Sequence, residues 1–125
     1  WETVRKPDAS QKGYENALVL ARKALELDTA NPNYQAAVAA ALYRVGSFEE
    51  ALVLLEELED LGWNTETEPH PEGPIFLAMA AYQVGDTGLA KETIDALELL
   101  MYRPLWARLA GGLFEEAKDL IRLGD

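Results

Sequence analysis

The residue types that carry covalent or acid–base chemistry are nearly absent from this chain of 125 residues. It has one histidine, His70, and no cysteine. A thiolate nucleophile and a Cys-ligated zinc site are therefore excluded. No phosphate-cradling G-x-x-x-x-G-K-S/T loop and no H-E-x-x-H pair occurs. Carboxylates are abundant, with Glu49 and Glu50 followed by Glu56, Glu57, Glu59 and Asp60. These acids alternate with Leu52, Leu55 and Leu58 at helical spacing, so the leucines turn inward and the acids face water. An acid–base pair needs a cleft, and a solvated helix face offers none. The expectation is a protein that is no enzyme, with no catalytic residue and no cofactor.

One segment has the composition of a metal loop. In Glu66-Thr67-Glu68-Pro69-His70-Pro71-Glu72 the prolines favour extended backbone, which would turn Glu66, Glu68, His70 and Glu72 to one side. Oxygen ligands with a single imidazole suit calcium, manganese or zinc. The plainer reading, a Pro-stiffened polar connector, is the one the sequence favours, so no metal is assigned.

Charge is the more informative signal. Lys and Arg number 11 against 22 Asp and Glu, for a formal net charge of -11. A polyanion would be repelled, so nucleic acid and anionic membrane surfaces are poor partners. No run approaches the roughly 20 apolar residues of a membrane-spanning helix. From Val45 to Ala90 there is no Lys or Arg, against ten acidic residues. Glu49, Glu56, Glu57, Glu59 and Asp60 thus form an acidic ridge able to attract a basic partner, or simply to keep the domain dispersed. The chain opens on Trp1 without a leader, as expected of a piece of a longer protein. The compartment leaves no mark in the sequence.

The elements that must position these residues repeat. Ala41-Leu42-Tyr43-Arg44-Val45-Gly46-Ser47-Phe48-Glu49-Glu50-Ala51-Leu52 aligns with Ala80-Ala81-Tyr82-Gln83-Val84-Gly85-Asp86-Thr87-Gly88-Leu89-Ala90-Lys91, and Gly46 and Gly85 lie 39 positions apart. Lys12-Gly13-Tyr14-Glu15-Asn16-Ala17-Leu18 is a weaker third copy. Each reads as a helix ended by a left-handed glycine and followed by a second helix. Ser47 and Glu50 are spaced as a capping box for the second. The expected inward stripes are Tyr14, Ala17, Leu18, Ala21, Ala24, Leu25 and Leu27; then Phe48, Ala51, Leu52, Leu55, Leu58 and Leu61; then Ala90, Ile94, Leu97 and Met101. At the end, Trp106, Leu109, Ala110, Leu113, Phe114, Ala117, Leu120 and Ile121 keep one phase across Gly111-Gly112, as one long helix or a short hairpin.

On these residues the chain resembles the tetratricopeptide-repeat (TPR) family, whose unit is a helix pair of about 34 residues. Ala24-Leu25-Glu26-Leu27-Asp28-Thr29-Ala30-Asn31-Pro32 is similar to the family's repeat-ending stretch. Gly46, Phe48 and Ala51 match its turn glycine, aromatic and small residue. The stretch from Ile75 to Gly85 is similar to TPR tails of larger bacterial proteins. The resemblance implies an all-α, right-handed α-solenoid of about three helix hairpins plus a C-terminal covering helix. It divides a single domain, 1–125, into a partial first repeat (12–31), a second (32–62), an inserted loop (63–73), a third (74–102) and the covering segment (104–123). Pro74 is placed to begin the helix after the loop.

The resemblance further implies a non-catalytic protein–protein interaction module, a scaffold or adaptor. Its concave groove would take a peptide or helix on Asn33, Tyr43, Arg44, Ile75, Met79, Tyr82 and Gln83. Self-association into a homo-oligomer through incomplete end repeats is the alternative, and a divalent-metal module through 66–72 the third reading.

Overall fold

A computed structural model describes residue 4, residues 9–65 and residues 69–123. Among the described residues the chain is all-α, with no strand. Six helices follow in order: α1 (Gln11–Leu27), α2 (Pro32–Arg44), α3 (Phe48–Asp60), α4 (Glu72–Gln83), α5 (Thr87–Leu100) and α6 (Pro104–Leu123).

Local chemistry sets most of the boundaries. Ser10 Oγ accepts from Gly13 N at 3.0 Å and starts α1. Asn31 Oδ1 accepts from Asn33 N at 2.9 Å, with Pro32 as first residue of α2. The two aligned turns have matching geometry. Gly46 and Gly85 take φ of 93° and 95°, and Ser47 N and Asp86 N each donate back to Leu42 O and Ala81 O at 2.9 Å. That is a left-handed glycine closing a helix by reversed hydrogen bonds. The expected capping box does not form, since Ser47 makes no side-chain cap bond. Asp86 sits in nearly the same backbone conformation and does cap, accepting from Leu89 N at 3.2 Å. The carboxylate reaches one bond further than a serine hydroxyl from that ψ.

Helix α4 begins at Glu72, two residues before Pro74. The first four amides of a helix have no partner inside it, so a proline in the first turn removes no hydrogen bond. The C-terminal segment is one helical run broken at Ala110, whose φ of -144° and ψ of 17° lie outside helical values. The adjacent Gly111-Gly112 pair supplies the backbone freedom for this kink.

Each helix packs on the next in the chain, and α4 also meets α2 and α6. The sequence explains why α4 is central. Every residue from Pro71 to Ala81 is buried, and a helix apolar on all sides is stable only when surrounded. Phe76, Ile75 and Met79 of α4 join Leu42, Leu55, Leu58, Ile94 and Ile121 as the largest fully buried side chains. Each contributes about 1.5–3 kcal/mol of apolar burial. Ala51 and Ala90, at matching places in the two repeats, are 0% exposed, where a small residue lets backbones approach. The α3 and α5 stripes are buried or half-buried as expected except at the end of α3, the α1 stripe is only half-buried from Ala17 to Leu25, and in the α6 stripe Leu109 faces outward at 39% exposure. Leu27 and Leu61 are 90% and 66% exposed, because each stands at or just past the last turn of its helix, beyond the reach of the neighbour.

Candidate functional site

Arg44, in the last turn of α2, is held on several sides at once. Its Nη1 and Nη2 donate to Glu116 Oε2 and Oε1 at 2.5 and 2.7 Å, a two-pronged pair joining α2 to α6. Its Nε donates to Val4 O at 2.6 Å. The guanidinium lies 5.8, 5.7 and 5.4 Å from the ring centres of Tyr14, Tyr43 and Phe76. The Arg44 side chain is 6% exposed and that of Glu116 is 21%. Burial works against the charge on Arg44, but the Glu116 hydrogen bonds and carboxylate charge outweigh it and hold its pKa above the ordinary arginine value. Burial also pushes the Tyr43 phenol up, against the lowering effect of Gln83 Nε2, 3.5 Å from the hydroxyl.

The residues expected along a concave groove are therefore placed differently from one another. Ile75 and Met79 are 0% exposed and Tyr43 is 6%, so these three fill the core. Burial follows from α4 being enclosed by four helices, where the repeat pattern had one face of it open. Tyr82 is half-buried and Gln83 exposed. Asn33 is exposed, and its Oδ1 accepts from Trp63 Nε1 at 3.2 Å.

Open concave surface lies instead between α1 and α2. A groove of about 710 Å³ is lined by Val4, Gly13, Asn16, Ala17, Leu20, Ala21, Ala24, Asn33, Tyr34 and Ala37. Of the expected groove set only Asn33 borders it. Ala17, Ala21 and Ala24 recur at i, i+4 and i+7, the spacing of one helix face, and their small side chains leave the hollow. Leu20 and Tyr34, at the rim, are 68% and 37% exposed. Periodicity in the sequence marks this stripe as inward-facing without telling a packed face from a half-open one.

The acidic ridge is a surface of α3, where Glu49, Glu56, Glu57, Glu59 and Asp60 are all exposed. Partial burial, then the charge of Asp60, pushes the Glu59 carboxyl above the usual carboxylate range. Glu49 and Glu50 enclose a shallow groove of about 390 Å³ with Val53 and Leu54.

The loop after α3 folds on itself. Trp63 stacks on His70 with ring centres 4.2 Å apart and planes at 9°, and Asn64 Oδ1 accepts from His70 N at 2.6 Å. Of the candidate metal ligands, Glu66 and Glu68 lie outside the described residues and Glu72 is 7% exposed. Among the described residues no group of three His, Asp or Glu side chains is placed to hold a metal. No described helix is long and apolar enough to cross a membrane. Comparison of the chain with protein-family models, with curated proteins and with solved structures finds no match.

Proposed function

We propose that this chain is a non-catalytic protein-interaction module of the tetratricopeptide-repeat kind, a right-handed solenoid of helix hairpins that receives an apolar helical or extended peptide. The chain-neighbour packing of the helices and the two matching glycine turns support the solenoid reading. The observation that carries the function is the groove of about 710 Å³ between α1 and α2, floored by alanines with Leu20 and Tyr34 at its rim. An alanine floor admits a partner's bulky side chains, and Leu20 and Tyr34 offer apolar contact area already ordered by their helices. Asn16 and Asn33 supply hydrogen-bonding side chains at the edges for orienting a backbone.

The test is selection of peptides from a displayed random library on the whole chain, followed by affinity measurement against an Ala21→Trp variant of unchanged helicity. The indole fills the groove, so selected peptides should bind the variant at least about tenfold more weakly, equivalent to about 1.4 kcal/mol. Equal binding to both proteins, or no peptide recovered, refutes the assignment.

A further inference from the structure

Two exposed patches elsewhere on the molecule are complementary to each other. The first is the outer face of α3. Val53 is 57% exposed at its centre, in the shallow hollow with Leu54, Glu49 and Glu50. Helical spacing puts Glu56, Glu57 and Asp60 on the same side one and two turns on. These acids gather at the C-terminal end of the helix, where the backbone dipole is already negative and the last turn carries no basic residue. Arg22 of α1 brings a cation to this face, 3.9 Å from Glu50 and well exposed. At that distance and exposure it contributes little. The face thus has an apolar centre inside a rim of like charge that favours a cationic partner.

The second patch is the start of α6 with the turn before it. Residues 99–114 contain Arg103 and Arg108 and no acid. Tyr102, Leu105 and Leu109 are 82%, 42% and 39% exposed. Leu105, Arg108 and Leu109 stand at i, i+3 and i+4, hence on one face, just before the break in helical geometry at Ala110. Arg103 and Arg108 bring positive charge to this apolar surface, and Glu98 and Glu115, which border Tyr102, are themselves paired with Arg122 and Lys118.

We infer that copies of this chain associate head to tail, the Leu105/Arg108/Leu109 face of one seating on the Val53 face of α3 in the next. Charge complementarity selects this occupant: the partner that α3 calls for is displayed by the chain itself. The net charge of -11 opposes approach, but that repulsion is screened beyond about 8 Å at physiological salt, whereas the patches meet in contact. Donor and acceptor surfaces differ, so the contact is heterologous and builds rings or open rows instead of closing as a two-fold dimer. This interaction leaves the α1–α2 groove free and stands apart from peptide binding there.

Sedimentation velocity from micromolar to millimolar chain tests it, with three proteins compared. The wild type should show mass rising with concentration. Glu56→Lys/Glu57→Lys and Arg103→Glu/Arg108→Glu, each checked for unchanged helicity, should each weaken association by roughly tenfold or more. An equimolar mixture of the two reversed variants should regain it, because each then meets an opposite patch. A wild type that stays monomeric throughout overturns the inference. So does association that ignores both reversals, or a mixture no more associated than its components.

Discussion

Removing the Glu116 carboxylate is the perturbation whose cost the structure defines best. In Glu116→Ala the Arg44 guanidinium loses both prongs of its ion pair and keeps the Val4 carbonyl and three ring faces. With its side chain only 6% exposed, it has little water to turn to. Breaking a buried pair from one side costs about 3–5 kcal/mol. The 21% exposure of Glu116 lets some water follow the lost carboxylate, which puts the expected loss near the lower end, about 3 kcal/mol. Domains of this kind hold about 5–15 kcal/mol in total, so the loss is a large share, equivalent to roughly 10 °C in melting temperature. Replacing both partners, Arg44→Met with Glu116→Leu, strands no charge and should restore most of the stability. The assay is urea unfolding followed by far-UV circular dichroism at neutral pH, with m-values compared to confirm two-state behaviour. The reasoning fails if Glu116→Ala costs under about 1 kcal/mol, or if the double variant loses the sum of the two single losses.

Two further substitutions set opposing effects against each other. A Cβ on Gly73 would meet Trp63 Cζ3 at 2.9 Å and Cε3 at 3.2 Å. Gly73→Ala should therefore displace the indole, shift tryptophan fluorescence and destabilise by about 1–2 kcal/mol; a gain in stability, the ordinary result of Gly→Ala within a helix, would show that the indole yields freely. Glu59 has its folded-state pKa raised by burial and by Asp60, so its charged form is disfavoured in the fold and the penalty fades as pH falls through that pKa. Glu59→Gln should raise stability by a few tenths of a kcal/mol at neutral pH, after allowance for solvent screening, and by nothing near about pH 3; a gain that persists in acid would locate its source elsewhere.

Local signals carried much of the fold. Gly46 and Gly85 could be identified from sequence because a left-handed cap admits few residue types, and Ala51 and Ala90 because close helix approach admits only small ones. The inward stripes of α3 and α5 followed from periodicity, as did that of α6 apart from Leu109, which the same phase placed inside and which is exposed. What was illegible depends on contacts across the chain. Glu116 lies 72 positions from Arg44, and no spacing rule pairs them. Helix α4 has no polar face after its first residue, so its sequence says that it is buried but not by how many neighbours, and Ile75 and Met79 were assigned to an open groove for that reason. On α1 the alanine stripe was visible, yet whether a face of small residues is sealed or left hollow depends on what α2 presents opposite it.

The enclosure of α4 by α2, α3, α5 and α6 also governs how the molecule comes apart. A linear array whose units touch only their neighbours can lose them one at a time, each opening with its own modest free energy. In this array the units on both sides of α4 rest on it, so four helices share one hub, and the Arg44–Glu116 pair fastens α2 to α6 across it, so that none of the four leaves without baring the hub to water. Amide hydrogens in α4 should accordingly exchange only through complete unfolding, while α1, whose principal helix contact is with α2, opens at lower cost. Its loosening would alter the α1–α2 groove while leaving the hub intact, so the surface proposed to meet a partner belongs to the part of the fold most easily adjusted to one.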